Sequence, residues 1–228
     1  MINISRFIED ERKYYNGESN NLFSLTIGAI QSNYEKALML REWSIPLIEE
    51  YGKLFADPHK AGPEEIDRSI DLGLTKKIEI LFESFFIFSS ILCDDIAQIF
   101  TNLFGSARDV KLGTHRKLSE NFVAYASALS LGYDPSFIDL AKYLESELCD
   151  YRDKQLVHDI NYRKVWTVSY SNITKDVTLM YGMLYPKTTD KYVSSKGWGE
   201  LLDALEKYVA MTLEIIRNNR NKVCAYKK

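Results

Sequence analysis

Apolar side chains recur at helical spacing over most of this chain. From Asn21 to Phe55, the residues Leu22, Leu25, Ile30, Tyr34, Leu38, Leu47, Ile48 and Tyr51 fall at mainly helical intervals, with Pro46 as a kink or break, so two helical segments in line are predicted. A connector holding Pro58, Gly62 and Pro63 follows. A long helical pattern then runs from Glu64 to Phe104 and stops at Gly105, the residue type that closes helices in the left-handed conformation. Glu79, Glu83, Ser90, Asp94 and Gln98 draw a polar stripe along it. A third helix is predicted from about Arg116 to Leu131, stopped by Gly132, and a fourth from Asp134-Pro135, with Asp as N-cap and Pro at the first helical position. The fourth carries a narrow stripe of Phe137, Leu140, Ala141, Leu144, Leu148, Tyr151 and Gln155, which packs it on the core as far as Arg152.

Between Tyr162 and Tyr170 the pattern changes. Val165, Trp166, Thr167, Val168 and Tyr170 are β-branched or aromatic and precede the turn-prone Ser171-Asn172, which predicts a short strand or hairpin. Ile173 to Tyr185 fits a second strand or a short helix, and periodicity does not decide between them. After Ser195 a last long helix buries Trp198, Leu201, Leu202, Leu205, Val209, Leu213 and Ile216. The expected fold is therefore all-α: one domain over residues 1–228, a bundle of about five long helices with a short β-rich excursion near 162–185.

At 228 residues the chain can bury a large core without disulfides or a structural metal, and 46% hydrophobic content is too apolar for a disordered chain. A net charge of -3 and a pI near 5.7 give no global positive field, so any RNA contact must rest on a local patch. Cys93, Cys149 and Cys224 stand singly, and the odd count argues against a disulfide framework and for a reducing compartment. Acidic residues interrupt the N-terminal stretch from Met1 to Asp10 where a secretory signal needs an apolar run, so the expected location is cytoplasmic. The most apolar run, Phe85 to Cys93, is closed by Glu83 and by Asp94-Asp95, well short of the roughly 20 residues of a membrane span.

Several chemistries find no support. His59, His115 and His158 lie far apart and no Glu-x-x-His or His-x-x-x-His pair is present, so neither a metal nor another cofactor is expected. No glycine-rich phosphate loop and no Gly-x-Ser-x-Gly elbow occurs. What stands out is Tyr151-Arg152-Asp153-Lys154-Gln155-Leu156-Val157-His158-Asp159, in which five residues separate an arginine from a histidine at the end of a core helix. Here the chain resembles the HEPN superfamily, whose hallmark is an arginine, often followed by a polar residue, then a histidine after four to six positions in an all-helical bundle. Arg152, Asp153 and His158 match that motif. In outline the resemblance covers most of the chain: long helices before the motif, an insertion after it and a final helix. It implies a metal-independent endoribonuclease in a toxin or phage-defence setting, with RNA as substrate and an antitoxin or another protein as partner. Other members are noncatalytic RNA- or protein-binding scaffolds, and that alternative stays open.

The residue types suit such chemistry. A histidine, with an unperturbed pKa near 6.5, can take a proton from a ribose 2′-hydroxyl or give one to a leaving oxygen, which is the role of His158. Arg152 would hold the phosphate with a planar fork of donors while negative charge builds. Asp153 either orients one of them or is a solvated carboxylate at a helix end. Plain structural readings stand beside these: the helix dipole favours a charged histidine near a helix C-terminus, and Arg152 has Asp150, Asp153 and Asp159 as nearby ion-pair partners. Asp94 and Asp95, beside Ile91, Leu92 and Ile96, need partners or water if buried, and either support Arg152 or form a local ion pair. Two basic clusters, Lys111-His115-Arg116-Lys117 and Arg217-Arg220-Lys222-Lys227-Lys228, make Arg116, Lys117, Arg220 and Lys222 candidates for RNA contact, although positive charge at a helix C-terminus is ordinarily explained by the dipole. In an unbroken helix Arg152 and His158 would stand roughly 9 Å apart along the axis and about 120° apart around it. A two-fold axis that faces the motifs of two copies would reunite them, so a homodimer is expected; the alternative is a monomer in which the helix ends before His158 and the chain folds back beside Arg152.

Overall fold

A computed structural model describes the backbone of residues 2–15, 18–56, 73–107, 110–149, 163–170, 177–184 and 192–223. Among these described residues there are six α-helices: α1 (Ile4–Arg12), α2 (Glu18–Ala56), α3 (Thr75–Phe104), α4 (His115–Ala128), α5 (Ser136–Leu144) and α6 (Trp198–Asn218). The chain is thus predominantly helical, as the hydrophobic periodicity predicts. Three strands, β1 (Arg163–Tyr170), β2 (Val177–Leu184) and β3 (Tyr192–Gly197), pair antiparallel in that order, with Trp166 opposite Tyr181. No helix among the described residues is long and apolar enough to cross a membrane.

The helix ends follow from identifiable residues. Asn3 caps α1 by accepting the Arg6 N–H at 2.8 Å. Helix α2 continues through Pro46, so of the expected kink or break the break does not occur. Proline removes a single N–H, whereas Tyr34, Ala37, Leu40, Ser44 and Ile48 continue one buried face in phase on both sides of it, and burial wins. Leu25, assigned above to the buried stripe, is 73% exposed; Phe23 and Ile27 take the inward positions. In α3 the polar stripe holds in part, since Ser90 is fully buried and reaches the Leu148 carbonyl at 3.4 Å. Helix α3 ends at Gly105, whose φ of 83° is the left-handed cap expected there.

Helix α4 ends earlier than Leu131. Ser130, at φ 54°, occupies the left-handed position, and two bonds close the end: Leu131 N–H to the Ala126 carbonyl at 2.7 Å and Ser130 N–H to the Ser127 carbonyl at 3.1 Å. Gly132 has a different job. Its N–H and carbonyl are gripped by the amide of the buried Asn219 at 2.9 and 2.8 Å. The start of α5 lies one residue beyond expectation, yet Asp134 still acts on it, accepting the Ser136 N–H at 2.9 Å. Past Leu144 the helix widens into a π-helical turn, Glu145–Cys149.

Packing divides the chain into two compact units. The first comprises Met1–Glu35, Phe88–Asp150 and Asp203–Lys228. Its core is an aromatic cluster in which Phe122 meets Phe100 and Phe137 at centroid distances of 4.8 and 4.9 Å, and Phe137 stacks on Tyr208 at 5.0 Å. Buried Glu11 pins the N-terminal helix to this unit through Arg217 at 3.2 Å and Arg220 at 2.8 Å. The second unit comprises Lys36–Ile87 and Tyr151–Leu202, where Trp198 packs on Phe82 and Phe85, each at 5.2 Å.

Candidate functional site

Arg152, Asp153 and His158 lie outside the described residues. The described chain reaches Cys149, three positions before the arginine, on a segment firmly held in the core: Phe137, Ala141, Leu144, Leu148 and Cys149 are all buried.

The other sequence-nominated residues are placed by the fold. The Asp94 carboxylate accepts the backbone N–H of His115 at 2.9 Å, joining Thr114 in satisfying the first turn of α4. Asp95 accepts the side-chain amide of Asn33 at 2.7 Å. Both aspartates therefore have structural partners. Arg116 and Lys117 are exposed on α4, with Arg116 reaching Glu120 at 3.4 Å one turn on. The described C-terminal cations serve the fold, while Lys227 and Lys228 lie outside the described residues. Arg220 pairs with Glu11 and lies over the Tyr14 ring at 4.1 Å, and Lys222 donates to the Ser130 carbonyl beside the α4 cap.

A second constellation emerges that spacing alone did not suggest. Cys93 on α3, His115 at the head of α4 and Cys149 at the end of the π turn converge, with one ligand atom from each lying within 4.8 Å of the others. All three are buried, at 0, 1 and 2% exposure. His115 Nδ1 is 2.8 Å from Glu145 Oε2 and 3.6 Å from Cys149 Sγ. An ionised carboxylate only accepts, so Nδ1 carries the proton of that bond. Glu145 and Cys149 sit one turn apart on the same side of the π turn, which lets both reach one imidazole. The rings of Tyr208 and His115 meet edge to face at 5.5 Å, and among the described residues neither the Tyr208 hydroxyl nor His115 Nε2 has a hydrogen-bond partner.

The electrostatics follow from this enclosure. Burial alone would depress the His115 pKa, but its contacts with the Cys149 thiol and the Glu145 carboxylate outweigh it and lift the value to about 9. Contact with Cys93 and burial together push the Cys149 thiol well up, and burial does the same to the Tyr208 hydroxyl. Buried this deeply and lacking an activated thiolate, the pair has no access to a substrate as a nucleophile and base.

Sequence reasoning treated the cysteines as isolated and His115 as part of a basic cluster. The available signal was weaker than a motif: each of the three falls on the core-facing side of its own element, Cys93 inside the most apolar run and Cys149 one turn beyond Glu145. Comparison with protein families, with curated proteins and with solved structures returned no match to this chain.

Proposed function

We propose that this chain is a metal-independent endoribonuclease of the HEPN type, with Arg152 and His158 as its reacting pair. The observation that carries the reading is the Arg152-x5-His158 motif itself, beginning three residues beyond a core-packed helical segment in a predominantly helical chain. In this reaction the ribose 2′-oxygen attacks the adjacent phosphorus, His158 manages the proton, and Arg152 balances the charge that develops on the phosphate oxygens. The bond to the 5′-oxygen breaks, leaving a 2′,3′-cyclic phosphate on one fragment and a 5′-hydroxyl on the other. Asp153 orients one member of the pair, and Arg116 and Lys117, both exposed, would meet a phosphate backbone.

On the same reading the protein works in the cytoplasm as a homodimer whose motifs face each other across a two-fold axis, within a toxin or phage-defence system and under the control of an antitoxin or similar protein. The finer plan is a bundle of about five long helices with the segment near 162–185 as an insertion. The test is cleavage of single-stranded RNA by the purified chain, with fragment ends identified by mass spectrometry. Cyclic phosphate ends that disappear in Arg152→Ala and His158→Ala support the reading; a wild-type chain that binds RNA without cutting it supports a noncatalytic scaffold instead. Arg220 and Lys222 are engaged within the chain, which leaves fewer cations for RNA and favours, within the noncatalytic alternative, a protein-binding over an RNA-binding scaffold.

A further inference from the structure

We infer that Cys93, His115 and Cys149 form a buried structural site for a thiophilic divalent cation of the zinc class, with Glu145 as the donor closest at hand for the fourth position. Three elements distant in sequence bring their ligand atoms within 4.8 Å of one another, in the interior of the first unit. Bond lengths of about 2.3 Å to sulfur and about 2.0–2.1 Å to nitrogen, at tetrahedral angles, place a sulfur and a nitrogen ligand roughly 3.6 Å apart. Cys149 Sγ and His115 Nδ1 are 3.6 Å apart. Glu145 Oε2 is 2.8 Å from the same nitrogen but lies outside the group of mutually close ligand atoms, so it would shift toward the sulfurs to become the fourth ligand once the ion displaces the Nδ1 proton.

Charge and chemistry agree with this occupant. Two thiolates neutralise a dication, so the ion, the sulfurs and a neutral imidazole make an uncharged group that can be buried. The added carboxylate belongs to the least enclosed of the four side chains, with 18% of it exposed. Sulfur and imidazole together select zinc-class ions over magnesium or calcium, which take oxygen ligands. The Tyr208 hydroxyl, buried and without a hydrogen-bond partner among the described residues, is a donor that ionised thiols nearby could engage. Full burial leaves no open coordination position for a substrate, so the site ties α3, α4 and the π turn together and takes no part in chemistry. The inference is independent of Arg152 and His158.

The test uses the full chain purified without chelators. Elemental analysis is expected to find about one zinc per chain, unchanged in Cys224→Ser and lost in Cys149→Ser. Since Cys149→Ser can also weaken folding, the decisive measurement is on the wild-type sequence: Co²⁺ added to metal-stripped protein is expected to give thiolate-to-cobalt charge-transfer absorption and tetrahedral ligand-field bands, both displaced by Zn²⁺. Sub-stoichiometric metal with no such absorption overturns the inference. So does a Cys93–Cys149 disulfide in the protein as isolated, detected as two thiols fewer than the sequence contains.

Discussion

The Asp134 carboxylate accepts the Ser136 N–H at 2.9 Å, and this bond holds its pKa below the ordinary carboxylate value. A group whose folded pKa is depressed stabilises the fold above its unfolded pKa, about 3.9, and the contribution disappears as pH falls through the folded value. Asp134→Ala is therefore expected to lower Tm at pH 7, with the gap to wild type closing below about pH 4; Asp134→Asn, which keeps a neutral acceptor but loses the charge, should show a smaller gap at pH 7 that also closes at low pH. Melting curves between pH 2.5 and 7 check this; a gap that stays constant over that range would contradict it. Glu11 contributes through ion pairs with distant residues. It is buried while its partners Arg217 and Arg220 are half and one-third exposed, so Glu11→Gln weakens charge-assisted bonds without stranding a cation away from water. A loss of about 1–3 kcal/mol in urea denaturation is expected, from the strength of hydrogen bonds to charged groups. Asp134 was legible in sequence because Asp before Pro announces a helix start. Glu11 was not, since its partners lie 206 and 209 residues away.

Helix ends show where reading by residue type succeeds and where it stops. Gly105 closes α3 in the left-handed conformation, and glycine is the residue that takes it without steric cost. At the end of α4 the same conformation falls on Ser130, while the nearby Gly132 is held by Asn219. A serine gives no signal for that role. Ser130→Gly is accordingly expected to stabilise the protein by roughly 0.5–1 kcal/mol, the relieved strain being partly offset by a freer unfolded chain. Calorimetry distinguishes this from the loss expected if Ser130 were an ordinary helical position. Pro46 misleads in the other direction, because its local cost is outweighed by a continuous buried face that only the folded helix makes visible. The π turn at Glu145–Cys149 likewise has no residue signature, yet it carries Glu145 and Cys149 to His115.

For the molecule as a whole, the helical class was legible because periodic burial is written along each segment, whereas the division into two units and the Cys93-His115-Cys149 cluster depend on which segments meet. The candidate ribonuclease motif has the reverse character: it is local and visible in sequence, and it falls outside the described residues. Were the helix unbroken, its two members would grip one phosphate poorly, and the proposed two-fold assembly would bring an arginine and a histidine together from two copies. Light scattering at micromolar concentration should give a dimeric mass; a monomeric mass together with full cleavage activity would refute a shared site. The most direct test is cleavage of single-stranded RNA, in buffer without added metal, by wild type and by His158→Ala matched for Tm. The account expects wild-type fragments ending in 2′,3′-cyclic phosphate and at least a hundredfold loss in the variant, on the scale of general acid–base catalysis. Equal cleavage by the two proteins, or none by wild type, would contradict it.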